Sequence, residues 1–290
     1  MTEPRPLIGI GLMLLAMAIL PFIDVLAKFL GQAGLPIVLV VWARAVFGSL
    51  VTLPFALRAA GPAALRPENP FQHLGRALLL FSATFCFFEA LKFLPIADAL
   101  AIFFVNPLVI TALSALVLRE TVGPRRWAAV AFGFLGTLVI IRPGLVEMNP
   151  GTLLALAAGF ALGSYFVMTR AMAARAEASV LTFQTNIIGS ALLTALLPLV
   201  WQAPTVPQWL MLIGIGLIAT LGHLLITRAY VHAEASLLAP LAFTEIVMAT
   251  ILGWWYFGDW PDRWTFAGVT MLIASAVYIS WRERQATARP

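Results

Sequence analysis

The sequence predicts an all-α polytopic membrane protein of ten transmembrane helices, arranged as two inverted five-helix repeats. Three observations predict it. Of 290 residues, 61% are hydrophobic and only 11% charged, which leaves too little polar surface to cover one or two soluble domains. Apolar stretches of about 20 residues, the length that crosses a bilayer, recur from near Leu7 to Trp281 with short breaks. Two nearly constant offsets also relate the first half of the chain to the second.

The first stretch contains Ala16-Met17-Ala18, the pattern of a signal-peptidase site, but its hydrophobicity runs on through Leu30, so it is expected to remain as helix one. Gly31–Pro36 ends that helix. Helices two to five then close at Arg58–Pro70, Leu94–Ala97, Arg119–Arg125 and Arg142–Pro150, breaks marked by glycine, proline and charge. Breaks at Ala174–Ser179, Trp201–Pro207, Tyr230–Glu234 and Gly258–Asp262 separate helices six to ten. If the chain starts inside, Arg5, Arg58, Arg66, Arg76, Arg119, Arg125, Arg126, Arg170, Arg175, Arg228, Arg282, Arg284 and Arg289 are cytoplasmic. Only Lys28, Lys92, Arg142 and Arg263 then lie at outer ends. Both termini are therefore expected in the cytoplasm, with the protein in a bacterial inner membrane. The net charge of +5 belongs to these short loops and gives no reason to expect nucleic-acid binding. The single cysteine, Cys86, excludes an intramolecular disulfide and a multi-cysteine metal site.

Residues 20–58 slid by 141 place Asp24 on Tyr165, Trp42 on Phe183 and Gly48-Ser49 on Gly189-Ser190. Residues 90–141 slid by 139 place Ala90 on Ala229, Thr111 on Thr250, Glu120 on Asp259 and Val130 on Val269. Together they divide the chain into repeats at residues 1–146 and 147–290, and an odd number of helices per repeat inverts the second copy. The basic loop from Arg119 to Arg126 and its acid-rich counterpart from Asp259 to Arg263 suit opposite sides of a membrane.

Leu238-Ala239-Pro240-Leu241 and Gly253-Trp254-Trp255-Tyr256-Phe257-Gly258-Asp259-Trp260-Pro261, followed by Gly268 and Tyr278-Ile279-Ser280-Trp281-Arg282-Glu283, resemble the second repeat of the EamA group of the drug/metabolite transporter superfamily. Leu116-Val117-Leu118-Arg119-Glu120 through Arg125 is similar to the loop after helix four in that family. Asp259 stands where many relatives carry Glu. The resemblance spans essentially the whole chain and implies a metabolite transporter. Length and aromatic content are similar to the YddG-type bacterial exporters, which implies export of amino acids, including aromatic or apolar ones, by alternating access through a central cavity.

Transport needs a polar path inside an apolar shell, so ionisable and kinking residues within spans are the candidates. Asp24, Arg44 and Glu89 lie in the outer halves of helices one, two and three, where they suit either one ion-paired cluster that gates transport or a fixed salt bridge. Glu245, near the middle of helix nine, is the candidate for proton coupling, or else a carboxyl group bonded to a neighbouring helix. His223 in helix eight suits a proton relay or a packing role. Asn106-Pro107 in helix four and Pro240 in helix nine are hinge candidates, although Pro107 maps onto Ile246 and the two prolines are not equivalent. Phe81, Phe85 and Phe88 form one stripe of helix three facing Phe103 and Phe104, which predicts an aromatic cavity wall if they do not face lipid. Asn106 and Tyr165 would add polar groups to such a cavity. Gly159 and Gly163 read as a close helix contact. Trp127, Trp201, Trp209, Trp260, Trp264 and Trp281 lie near helix ends as interface anchors.

An intramembrane enzyme would gather a nucleophile and base or metal ligands, but His73, His223 and His232 are scattered and no HExxH, GxSxG or P-loop pattern occurs. Neither catalytic residues, metal nor cofactor is expected. A membrane sensor or assembly protein would want a reader domain that these short loops do not supply. Within transporters, the alternative is an importer of a nucleoside-like or sulfonium metabolite. The expected partners are a small-molecule substrate, lipid and possible coupling protons, with the chain acting as a monomer.

Overall fold

The computed structural model describes residues 6–117, 123–142, 149–173, 177–232 and 238–287. The Arg119-Glu120 motif falls outside them. Twelve helices are described: α1 (Pro6–Ile19), α2 (Pro21–Gln32), α3 (Ile37–Ala60), α4 (Pro70–Ala90), α5 (Ile96–Phe103), α6 (Asn106–Val117), α7 (Pro124–Ile141), α8 (Pro150–Ala173), α9 (Ala178–Val200), α10 (Val206–His232), α11 (Thr244–Phe257) and α12 (Arg263–Thr287). Short 3₁₀ turns occupy Gly61–Leu65 and Ala239–Phe243. The α1/α2 and α5/α6 pairs each make one crossing, and the second 3₁₀ turn leads into α11, which gives ten spans. Seven of these are apolar helices of at least 20 residues, enough to cross hydrocarbon at 1.5 Å per residue. Shorter apolar helices at Trp127–Ile141 and Leu241–Phe257, together with α12, supply the rest.

Pro6 and Thr287 share one end of the bundle with the Ala60/Pro70, Val117/Pro124 and Ala173/Ala178 helix ends, hereafter the terminal end. Gln32/Ile37, Ala90/Ile96, Ile141/Pro150, Val200/Val206 and Phe257/Arg263 gather at the other, the distal end. Main packing partners are α3 with α9, α7 with α12, α4 with α8 and α1 with α10. Small residues set these contacts, because lipid offers no hydrophobic drive between helices and backbones must come close to gain dispersion energy. A Cβ on Gly136 would stand 2.8 Å from the Gly268 carbonyl, and one on Gly163 would stand 2.8 Å from Val109 Cβ.

Several contacts join residues that the sequence offsets relate. Ser49 and Ser190, 141 apart, share a 3.3 Å hydrogen bond between α3 and α9. Phe104 and Phe243, 139 apart, stack with ring centroids 5.0 Å apart and planes 28° from parallel. The offset of 139 relates Ala129 to Gly268 and Gly136 to Ser275. Gly136 meets Gly268, and Ser275 Oγ donates to the Ala129 carbonyl at 2.6 Å, so the two contacts are reciprocal.

The break between α5 and α6 follows from Pro107, which lacks the N–H that would bond the Phe103 carbonyl one turn earlier. Asn106 Nδ2 donates to that carbonyl at 2.9 Å and replaces the lost bond. Gly159 and Gly163 let α8 fit against the break, close to the Phe103 and Asn106 carbonyls. In the ninth span Pro240 sits within the 3₁₀ turn and α11 begins at Thr244. The two breaks are therefore related by the 139-residue offset even though the two prolines are not. A third break, at Leu20-Pro21, divides the first span and was not expected from the sequence.

Candidate functional site

Five polar side chains from both halves converge on the middle of the bundle. Asp24 on α2 lies within electrostatic reach of Glu245 on α11 and of Arg44 on α3. Arg44 is likewise within reach of Tyr165 on α8, and His223 on α10 is within reach of Arg44. Each is carried by a helix whose other residues are almost all apolar, so the helix frame alone fixes its depth in the membrane. Asp24 is buried, whereas Arg44, Tyr165 and Glu245 are half-buried and His223 keeps more of its surface accessible.

Arg44 Nη1 donates to Thr84 Oγ1 at 2.8 Å, and the Thr84 hydroxyl passes its own proton to the Leu80 carbonyl at 3.0 Å. Among the described residues no carboxylate forms an ion pair with Arg44. The guanidinium, Asp24 and Glu245 thus share a field without direct contact, leaving hydrogen-bonding capacity for a ligand on both signs of charge.

The structure divides the expected Asp24, Arg44 and Glu89 trio. Glu89 lies within the last turn of α4 and pairs with Lys92 three residues later at 2.8 Å, which holds it at the distal end. The physical reason is local: a carboxylate takes the nearest cation on its own face before it reaches across the bundle.

The aromatic stripe also divides. Phe81 and Phe88 are buried and Phe85 is half-buried against the core. Phe103 packs on Phe87 at 4.7 Å, a residue outside the expected stripe, and Phe104 turns to Phe243. Asn106 commits its amide N–H to Phe103, and Pro107 supplies the break that makes this necessary. Pro240 occupies the turn ahead of Glu245.

Three cations take partners that the sequence did not indicate. Lys28, 7% exposed, donates to Asp259 Oδ2 at 2.7 Å and to the Leu94 carbonyl at 3.2 Å, tying the first span to the turns that follow the third and ninth spans at the distal end. Beside it Arg142 pairs with Asp262 at 2.7 Å, and Thr265 Oγ1 bridges Asp98 and Asp262 at 2.8 and 3.1 Å. Partial burial opposes ionisation of Asp262, but hydrogen bonds from the Thr265 N–H and hydroxyl, with Arg142 alongside, hold its carboxyl below the usual range. Arg76, counted from sequence among the loop arginines, is instead 1% exposed within α4. It reaches Thr169, the Leu181 carbonyl and the Tyr165 hydroxyl at 3.2, 3.3 and 3.4 Å. A signal existed for Arg76, because it lies six residues inside a helix that Pro70 begins. Among the described residues no three His, Cys, Asp or Glu side chains are grouped to hold a metal ion.

Comparison with known proteins agrees with this architecture. The profile of the EamA-like transporter family matches residues 7–142 and again 149–281. The S-adenosylmethionine uptake transporter of Rickettsia bellii is 27% identical, the match covering 97% of this chain and 96% of the relative. The riboflavin transporter of Vibrio cholerae is 28% identical over 98% of this chain and 97% of its own. The pseudopaline exporter of Pseudomonas aeruginosa is 29% identical over 86% and 88%. A crystal structure at 22% identity shares the fold with a TM-score of 0.63, covering 93% of this chain and 98% of that one. With two profile matches that together span nearly its whole length, the chain belongs to the EamA-like transporter family and is a multi-pass membrane protein of a family that moves small molecules.

Proposed function

We propose that the protein carries a small zwitterionic metabolite, an amino acid or an amino-acid-bearing compound such as S-adenosylmethionine, across the bacterial inner membrane by alternating access. The observation that carries this reading is the central group of Asp24, Arg44, Tyr165, His223 and Glu245. A guanidinium that lacks a described ion-pair partner suits a substrate carboxylate, and two carboxylates nearby suit an ammonium or sulfonium group. Phe85, half-buried, offers apolar surface for the remainder of the substrate. Glu245 couples movement to protons, because a carboxylate in mid-membrane gains or loses its charge at large energetic consequence.

The two units, residues 1–146 and 147–290, are inverted copies. Support comes from the Ser49–Ser190 and Phe104–Phe243 contacts, since equivalent residues touch only on the axis that relates the copies. Arginine placement puts the terminal end in the cytoplasm. In a Cys86→Ser background, a cysteine at Gly123 then labels only from the cytoplasm and one at Asp262 only from outside. Both labelling from one face would overturn the inversion. One chain supplies every member of the central group, so a monomer suffices.

The deciding experiment is counterflow into proteoliposomes loaded with amino acids, S-adenosylmethionine or riboflavin. Exchange of a zwitterion that disappears in Arg44→Ala supports the reading, and exchange of riboflavin alone refutes it. Export of amino acids is the direction that the YddG-type likeness implies. Uptake is the second reading, favoured by the near full-length likeness to uptake transporters of Rickettsia. Flux in right-side-out and inside-out vesicles separates the two.

A further inference from the structure

On α2 the central group and the distal end are one helical turn apart. Asp24 belongs to the group, and Lys28, four residues on and on the same face, holds Asp259. On α11 Glu245 belongs to the group, and Ala249, four residues on and on the same face, is 0% exposed. From Ala249 the helix runs about 12 Å further to Phe257. There Phe29 packs on the Phe257 ring at 4.7 Å between centroids, and Lys28 Nζ stands 4.7 Å from the same centroid. Gly258, at φ 72°, ends α11 in the left-handed region. The Gly258 and Asp259 N–H groups bond back to the Trp254 and Gly253 carbonyls at 3.0 and 3.2 Å, which turns the chain across the distal end. In the segment of residues 258–262, Asp259 takes Lys28 of the first span and Asp262 takes Arg142 at the end of the fifth. Thr265, just after it, bonds Asp98 in the first turn of α5. One short stretch of the second half is thus fastened to three spans of the first. The 141-residue offset that places Asp24 on Tyr165 places Lys28 on Thr169, so the other end has no matching cation at that position.

We propose that residues 258–262 form the distal gate of the transporter. With its ion pairs made, the segment shuts the central group off from the distal face, and it opens by giving up Lys28 and Arg142 to water. The proposal rests on the reading that the chain works by alternating access. Ion pairs suit a fastening that must release. Asp259, Asp262 and Arg142 keep 28%, 42% and 29% of their side-chain surface exposed, so water replaces each lost contact at small net cost. Lys28, the buried member, is the one that stands next to the central group.

The test reads access to the middle of the bundle and needs no transport. Ala249→Cys in a Cys86→Ser background places a thiol on the Glu245 face, inside the gate. It is reacted in right-side-out and inside-out vesicles with two membrane-impermeant reagents, trimethylammonioethyl and sulfonatoethyl methanethiosulfonate. The face that labels a Gly123→Cys control is the terminal one. Asp259→Asn is expected to raise the rate from the distal face about tenfold with both reagents, and to leave the rate from the terminal face unchanged or lower. The pair Lys28→Met, Asp259→Asn strands no buried charge and is expected to give the same rise, so the reading survives if Asp259→Asn alone does not fold. An unchanged distal rate would overturn the gate and leave the ion pairs as a fixed staple. Rises of the same size from both faces would overturn it as a general loosening of the bundle. A rise for one reagent alone would overturn it too, as the effect of an altered local field on a charged reagent. If the distal rate rises while counterflow of every zwitterion fails, the gate stands and the zwitterion reading falls. If counterflow succeeds and the distal rate does not move, the reverse holds.

Discussion

The break after Phe104 and the break after Phe243 are related by one offset, and the two phenylalanines stack on each other, yet the residues that follow differ. Asn106 stands second after the first break and Glu245 second after the other. In the fourth span, Pro107 removes a backbone donor and the Asn106 amide fills the vacancy at Phe103. In the ninth, Pro240 lies farther upstream, Thr244 Oγ1 donates to the Leu241 carbonyl at 2.6 Å, and Glu245 has no such repair to make. A carboxylate in the first turn of α11 is also favoured by the positive end of the helix dipole. One scaffold feature thus occurs twice, once mended by an amide and once left with an ionisable group within electrostatic reach of Asp24 on α2. The lesson is that two breaks at matching positions can carry different side chains, one committed to a backbone carbonyl and the other not.

Four substitutions break or sharpen that contrast. The largest effect is expected from Glu245→Gln, which keeps the shape and removes the charge. Flux driven by a pH gradient should fall about a hundredfold, to the level of empty liposomes, while substrate exchange persists. Unchanged gradient-driven flux would place Glu245 with Asn106 as a structural residue. Next comes Gly163→Leu, whose side chain must displace Val109 or the Asn106 carbonyl. A loss of about 3 kcal/mol is expected, read as a lower unfolding temperature in detergent. Asn106→Ala leaves the Phe103 carbonyl unpaired and should cost about 1–2 kcal/mol by the same measurement, with exchange retained at reduced protein yield. The smallest change is expected for Pro107→Ala. It restores a donor whose acceptor Asn106 already serves, so stability should move by no more than about 0.5 kcal/mol. A large loss there would show that the proline itself, and not the asparagine, holds the break.

The ionisable residues of the central group were legible in the sequence because a charge inside a long apolar run is conspicuous, as Asp24, Arg44 and Glu245 are. Their grouping was only partly legible. Glu89 was grouped with them by depth, but a closer reading of its spacing to Lys92 would have claimed it for the distal end. Lys28 was read as an outer-end charge, and nothing near it in sequence announces Asp259, 231 residues away. Arg76 was counted with the cytoplasmic arginines, whereas α4 begins at Pro70 and carries it six residues into the span.

By itself the sequence determined the class of solvent, the number of crossings and, Arg76 apart, the conspicuous charges inside them. Each follows from a local rule: hydrocarbon thickness sets the length of an apolar run, and unsatisfied backbone groups forbid anything but helix within it. Tertiary structure alone decided which of those charges meet, that the breaks in the fourth and ninth spans coincide despite unmatched prolines, and that Arg76 is buried against Thr169, Tyr165 and Leu181. These depend on which helix faces lie together. Between helices in lipid that choice is made by small residues such as Gly136, Gly163 and Gly268 fitting a particular neighbour, a match between distant stretches of chain that no single stretch encodes.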